Sequence, residues 1–138
     1  MIDMDILYAK VGNIHNCLRR IREVTHLETD RLDDIDVQDI FVLNLQRAVQ
    51  SAIDLSAHIV ATEGLGVPSS LKETFILLQR AEILSPSLTS RMVSMVGFRN
   101  IAVHDYQNLD VAVLKGILTQ NLKDLEDFTH SVLTFFQL

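Results

Sequence analysis

The sequence predicts an all-α protein, an antiparallel bundle of four main helices and one short helix. Apolar residues recur at alternating steps of four and three along most of the chain, which is the spacing of a helix face turned towards a core. Only five glycines and two prolines interrupt the 138 residues, so the helices are expected to be long. No alternation of apolar and polar residues continues far enough to predict a strand, and helices joined by short connections pack antiparallel.

The first two helices carry the clearest apolar stripes. The first is predicted over Asp3–Thr25, with core positions at Leu7, Val11, Ile14, Leu18 and Ile21. The polar connection after it supplies three candidate N-caps for the second helix, Asp33, Asp34 and Asp36. The second helix has core positions at Phe41, Leu45, Ala48, Ala52, Leu55 and Ile59. It is expected to end at Glu63-Gly64, where glycine accepts the left-handed conformation, and its wide apolar surface predicts a central position.

The second half of the chain predicts a short third helix and two further main helices. Ser70 stands three residues before Glu73, a capping-box spacing that marks the start of the short helix. The fourth helix is expected to start near Ser87, and Asp110 lies in the cap region of the last helix. Apolar residues left over on the first, second and last helices favour a homodimer.

Composition and charge exclude several classes of protein. The net charge of −6 argues against a broad basic surface for nucleic acid, and no binding to DNA is expected. Cys17 is the only cysteine, so neither an internal disulfide nor a cysteine-rich zinc site is available. The N-terminal segment lacks the features of a signal peptide, and no apolar run reaches the ~18 residues of a membrane span. We therefore expect one cytoplasmic domain over residues 1–138, without membrane contact.

The segment GFRNIAVHDYQNLD concentrates side chains that a buried helix does not need. Arg99 carries a permanent charge whose planar fork fits phosphate oxygens, and the imidazole of His104 can move protons near neutral pH. On a continuous helix these two residues lie roughly 140° apart. They can therefore meet at one site only if the helix unwinds between them or if two chains of a symmetric dimer share the site.

Two arginines and two histidines in one cleft could cleave RNA without a metal. RNA supplies its own nucleophile, the 2′-hydroxyl, so the enzyme needs a base, an acid and a cation for the charge on phosphorus. Asn100 could orient the histidine or donate to phosphate, and Tyr106 could stack on a base or bond to phosphate. The spacing alone is a weak signal, because the polar, solvated end of an ordinary helix accounts for it equally well.

The motif resembles that of a known family. RNIAVHDY contains R-x4-H-x-Y, which is similar to the motif of HepT toxins in the HEPN superfamily of ribonucleases. The second helix and its loop, LQRAVQSAIDLSAHIVATEGLGVPSS, are similar as well, and the resemblance covers nearly the whole chain. It implies a dimeric, metal-independent toxin ribonuclease of a type II toxin–antitoxin pair. The resemblance makes Arg99 and His104 catalytic at the dimer interface, with Asn100 in a supporting role.

The same resemblance implies a partner and a form of regulation. Such toxins are encoded beside an MntA-type nucleotidyltransferase antitoxin, which uses ATP to attach AMP to the motif tyrosine, here Tyr106. RNA is then the substrate, and neither a cofactor nor a metal is expected. The alternative is that the chain is a non-catalytic helical binding partner of a nucleotidyltransferase.

Two further polar groups have open interpretations. Asp54 and His58 lie four residues apart on the second helix, so they can bond to each other as a structural pair or border the cleft. Arg19, Arg20 and Arg22 on the first helix are candidates for a local basic rim, or for an ordinary solvated face.

Overall fold

The computed structural model describes residues 2–137, which contain helices and turns but no strand. The helices are α1 (Met4–Thr25), α2 (Ile35–Thr62), α3 (Leu71–Arg80), α4 (Pro86–His104), α5 (Val111–Gly116) and α6 (Leu122–Phe135). Short 3₁₀ turns lie at Thr29–Asp33 and Tyr106–Asn108, and a π-helical turn over Ile117–Asn121 connects α5 to α6. The prediction of an all-α bundle of four main helices and one short helix is confirmed, with the last main helix divided by the π-helical turn.

Helices α1 and α2 pack against each other in antiparallel orientation. At the start of α1, the backbone N–H of Asp3 donates to His58 Nε2 near the end of α2 at 3.0 Å. Two turns further along α1, Lys10 Nζ lies 3.2 Å from Asp54 Oδ2. Residue numbers thus rise along one helix as they fall along the other, which is the direction that the short connection between them predicts.

Capping side chains and a glycine mark several of the helix ends. Asp34, one of three candidate caps, accepts a backbone hydrogen bond in the first turn of α2. Ser70 Oγ accepts the backbone N–H of Glu73 at 3.1 Å, as the capping box predicts. Ser85 caps α4, which begins one residue before the predicted start, and Gly64 beyond α2 has a φ of +66°. Local chemistry therefore decides where most helices begin and end.

Helix α2 is the centre of the bundle and contacts α1, α3, α4 and α6. Its side chains with no exposed surface include Phe41, Leu45, Leu55 and Ile59. The long α4 packs against this central helix, and its last two turns carry Arg99, Asn100 and His104 of the polar motif. No helix within residues 2–137 is both long enough and apolar enough to cross a bilayer.

Candidate active site

Helix α4 continues without a break through the polar motif. The backbone N–H of Asp105 donates to the carbonyl of Ile101 at 2.8 Å and closes the last turn, and the chain leaves helical geometry only at Asp105 (φ −149°, ψ 48°). The hypothesis that the helix unwinds between Arg99 and His104 is therefore wrong. In one chain these two residues therefore lie on different faces of a continuous helix.

Arg99 is held by neutral amides. Its Nε donates to Gln50 Oε1 at 3.0 Å, and its Nη1 donates to Asn100 Oδ1 at 3.1 Å. No carboxylate within residues 2–137 lies at ion-pair distance from this guanidinium. Amide oxygens orient the plane of the group without neutralising it, so its full positive charge remains available to an anion.

A chain of polar side chains holds Gln50 in turn. Gln50 Nε2 donates to Asp54 Oδ1 at 2.8 Å, and Asp54 Oδ2 accepts from Lys10 Nζ at 3.2 Å. Of the two alternatives for Asp54 and His58, a bond to each other is not formed, because Gln50 and Lys10 bond to the carboxylate and His58 accepts from the start of α1. Asp54 therefore borders the arginine through Gln50, whereas His58 belongs to the contact between α1 and α2.

Gln50 is a contact of Arg99 that the sequence did not predict. The available signal was its spacing of four residues from Asp54, which places both side chains on one helix face. Asn100, in contrast, was predicted to support the site. Within one chain the Asn100 side chain bonds to Arg99 and not to His104, so it does not orient the histidine of its own chain.

Loss of Gln50 should weaken the site without removing it. We expect Gln50→Ala to lower RNA cleavage about tenfold, because a hydrogen bond to a charged group contributes about 1.5 kcal/mol. Asn44→Ala is the matched control, since the Asn44 amide on the same helix bonds only to the carbonyl of Ile40 in its own helix. Initial rates of cleavage measure the difference, and equal rates for the two variants would contradict a positioning role for Gln50.

His104 stands at the exposed end of α4. It is the last helical residue, its side chain faces solvent, and no group within residues 2–137 forms a hydrogen bond or ion pair with it. Apolar residues flank it, and Ile101 and Val103 have 48% and 40% of their surface exposed. The imidazole is therefore free to act on a molecule outside its own chain.

Tyr106 follows in the 3₁₀ turn and reaches back to α2. Its hydroxyl donates to the carboxylate of Asp39, and the residue keeps 39% of its surface exposed. Burial, the hydrogen bond to Asp39 and the charge of that carboxylate together raise the pKa of Tyr106 to about 12, from an ordinary value of 10.0. All three causes disfavour the tyrosinate, so the hydroxyl keeps its proton at neutral pH.

This shift can be measured by alkaline titration, because the chain has two tyrosines and no tryptophan. Subtracting the tyrosinate absorbance of Tyr106→Phe from that of the wild type isolates the titration of Tyr106. The midpoint of this difference curve is expected at a pH of about 12. Asp39→Asn should lower this midpoint, because it removes the negative charge that opposes ionisation. Helix content followed in parallel shows that the protein is still folded, and a midpoint at 10.0 in the folded wild type would contradict the assigned contact.

The arginines of α1 do not form a free basic rim. Arg19 and Arg20 lie 3.8 Å and 3.3 Å from the carboxylate of Glu23, and Arg22 pairs with Glu126. Two carboxylates thus face three guanidinium groups, an arrangement that is typical of an ordinary solvated helix face. Within residues 2–137 no group of histidine, cysteine and acidic side chains is arranged to hold a metal ion.

Comparison with known sequences gives consistent matches. The family model described as ribonuclease HepT-like matches residues 14–132. The mRNA nuclease HepT of Shewanella oneidensis is 36% identical over 124 residues, which cover 90% of this chain and 93% of that protein. The tRNA nuclease HepT of Aphanizomenon flos-aquae is 35% identical over 110 residues, covering 79% and 75% respectively.

Solved structures match the fold closely. A crystal structure of a toxin–antitoxin with AMP-PNP has a TM-score of 0.89 and 34% identity, covering 94% of this chain and 98% of that chain. The tri-AMPylated Shewanella oneidensis HEPN toxin in complex with MNT antitoxin gives the same TM-score, identity and coverage.

The all-α bundle is similar to a solved HEPN toxin over nearly its whole length and the sequence matches are to ribonucleases, so the class is that of HEPN-type ribonucleases. The chain belongs to the HepT-like ribonuclease family, since the family model spans most of its length and relatives above 30% identity cover it. The predicted family, the HEPN-like helical fold and ribonuclease activity within a toxin–antitoxin pair are thereby confirmed.

Proposed function

We propose that the active form is a homodimer in which Arg99 and His104 of both chains line one cleft and cleave RNA without a metal. The observation that carries this proposal is the continuity of α4, which holds the two residues on different faces of each chain. A phosphodiester can touch both kinds of side chain only when a second copy supplies the missing one. The exposed apolar surface of Ile101 and Val103 beside His104 supports an interface at this end of α4.

The cleft divides the chemistry among a few groups. One copy of His104 takes the proton of the RNA 2′-hydroxyl, which attacks the adjacent phosphorus, and the second copy gives a proton to the departing 5′-oxygen. Arg99 stabilises the negative charge that develops on the phosphorane, and Asn100 supports the guanidinium. Because the attacking oxygen belongs to RNA itself, the product carries a cyclic phosphate end and DNA is not cleaved.

Tyr106 is the proposed point of regulation. A nucleotidyltransferase antitoxin of the MntA type would attach AMP from ATP to its hydroxyl and so block the cleft. The half-exposed position of Tyr106 and the AMPylated state of the Shewanella oneidensis toxin support this assignment. Each AMP brings a phosphate, which could pair with the uncompensated Arg99 in the place of RNA.

A cleavage assay with chelator tests the proposed activity. We expect the purified wild type to cut single-stranded RNA in excess chelator and to leave cyclic phosphate ends, because none of the proposed groups requires a metal. A matched oligonucleotide with deoxyribose at the cleaved position should remain intact, since it lacks the nucleophile. Absence of cleavage by the folded dimer would favour the alternative, a non-catalytic partner of the nucleotidyltransferase.

A further inference from the structure

The contact between Tyr106 and Asp39 joins two distant parts of the chain. Asp39 lies on the exposed face of α2 near its start, and Tyr106 lies 67 residues later in the turn after α4. Among the described residues, Asp39 is the hydrogen-bond partner of the hydroxyl. A hydrogen bond between two partly exposed groups contributes little to stability, because water satisfies both groups equally well when they separate.

The hydroxyl needs a proton acceptor if it is to be modified. A phenol that keeps its proton is a poor nucleophile, and the surroundings of Tyr106 favour the protonated form. Tyr106 also borders a shallow hollow of about 350 Å³, which is lined in addition by Asp39, Val42, Leu43 and Gln46. The tyrosine is partly exposed beside this hollow, and the group that can take its proton is already hydrogen-bonded to its hydroxyl.

The other ionisable groups near Tyr106 are less suited to this task. Both carboxylate oxygens of Asp105 accept from Asn108 Nδ2, at 2.8 Å and 2.9 Å, so this neighbour is turned towards the 3₁₀ turn. His104 stands two residues earlier, on the exposed end of α4, and has no recorded contact with the hydroxyl. Asp39 is thus the acceptor that the geometry favours.

We propose that Asp39 is the general base for AMPylation of Tyr106, an inference that rests on the proposed modification of this tyrosine. As the Tyr106 oxygen forms its bond to the α-phosphorus of ATP, the proton passes to the Asp39 carboxylate. The bond from that phosphorus to the oxygen bridging to the β-phosphate breaks, and pyrophosphate leaves. ATP and the divalent cation that accompanies it are supplied by the nucleotidyltransferase. Aspartate takes a substrate hydroxyl proton in the same way in protein kinases. The toxin would then contribute a catalytic residue to its own inactivation.

The test is the rate at which the first AMP is added, followed by intact mass with ATP, Mg²⁺ and the nucleotidyltransferase. We expect Asp39→Asn to lower the saturated rate by at least about 10²-fold, because asparagine still accepts a hydrogen bond but cannot take the proton. The toxin concentration at half-saturation should change little. Asp36→Asn is the matched control, with the same loss of charge one helical turn earlier, and should react at the wild-type rate. Asp39→Glu restores a carboxylate and should recover part of the rate.

The possible results distinguish the role of Asp39 as a base from the proposed modification of Tyr106, on which that role depends. AMP added to Tyr106→Phe at the wild-type rate would remove the tyrosine as acceptor, and the proposed regulation with it. If Tyr106→Phe is inert while Asp39→Asn reacts as fast as the wild type, only the role of Asp39 is overturned. A change only in the toxin concentration at half-saturation would also overturn this role, because Asp39 would then contribute to binding of the nucleotidyltransferase. Loss of rate in His104→Ala but not in Asp39→Asn would assign the base to the histidine.

Discussion

Arg99→Ala and His104→Ala are each expected to lower RNA cleavage by about 10³-fold. Within residues 2–137 the Arg99 side chain has amide partners but no carboxylate partner. Its removal therefore leaves the negative charge of the phosphorane without compensation. The imidazole is the exposed proton carrier of the motif, and alanine can neither accept nor donate the proton. The measurement is the initial rate of cleavage of a labelled RNA in excess chelator, at equal concentrations of folded dimer.

Matched variants distinguish these losses from a general loss of charge or of structure. Arg80→Ala removes an exposed arginine from the last turn of α3, and His130→Ala removes an exposed histidine from α6. Both are expected to cleave RNA at the wild-type rate. Arg99→Lys keeps the charge but loses the planar fork that bonds to two amides, so an intermediate rate is expected. Wild-type rates for both Arg99→Ala and His104→Ala would contradict the proposed site.

Much of the fold follows from local features of the sequence. Apolar spacing identifies a helix face within about two turns, and a cap such as Ser70 acts on a backbone group three residues away. The helix starts and the burial of the stripes were therefore predictable without knowledge of the tertiary structure. The π-helical turn over Ile117–Asn121 was not, because the same apolar spacing continues through it and the extra residue is accommodated by packing between helices.

The candidate site was predictable only in part, because its members come from different elements. The motif supplied Arg99, His104 and Tyr106 together, but their orientation depends on where α4 ends. Two hydrogen bonds, between Gln50 and Arg99 and between Asp39 and Tyr106, connect α2 with residues far along the chain. Rules based on residue spacing within one helix cannot predict such contacts.

The partner of Asp54 was left open by the sequence for the same reason. A spacing of four residues places Asp54 and His58 on one helix face, but it does not choose between competing partners. Gln50 lies four residues before Asp54, and Lys10 lies on α1. Each of them bonds to one oxygen of the Asp54 carboxylate, so His58 is not required as a partner. Tertiary contacts decided which of several permitted pairs was formed.

A mixture of the two inactive proteins is expected to recover activity, if two chains share one cleft. A heterodimer of Arg99→Ala and His104→Ala retains one arginine and one histidine, contributed by opposite chains. With different affinity tags, such heterodimers can be purified and assayed for RNA cleavage. We expect a rate at least about 10-fold above that of either parent homodimer but below the wild-type rate, because the cation and one proton carrier meet again at one phosphodiester while water replaces the second histidine.

The matched control for this experiment pairs the wild-type chain with the double variant carrying both Arg99→Ala and His104→Ala. This heterodimer also retains one arginine and one histidine, but both belong to the same chain. Continuous helical geometry through His104 separates those two side chains by roughly 140° around α4, so they face one phosphodiester less directly than a pair from opposite chains. The first heterodimer should therefore cleave RNA faster than the control. The reverse order would mean that an arginine and a histidine of the same chain act together, and it would contradict a cleft shared between chains.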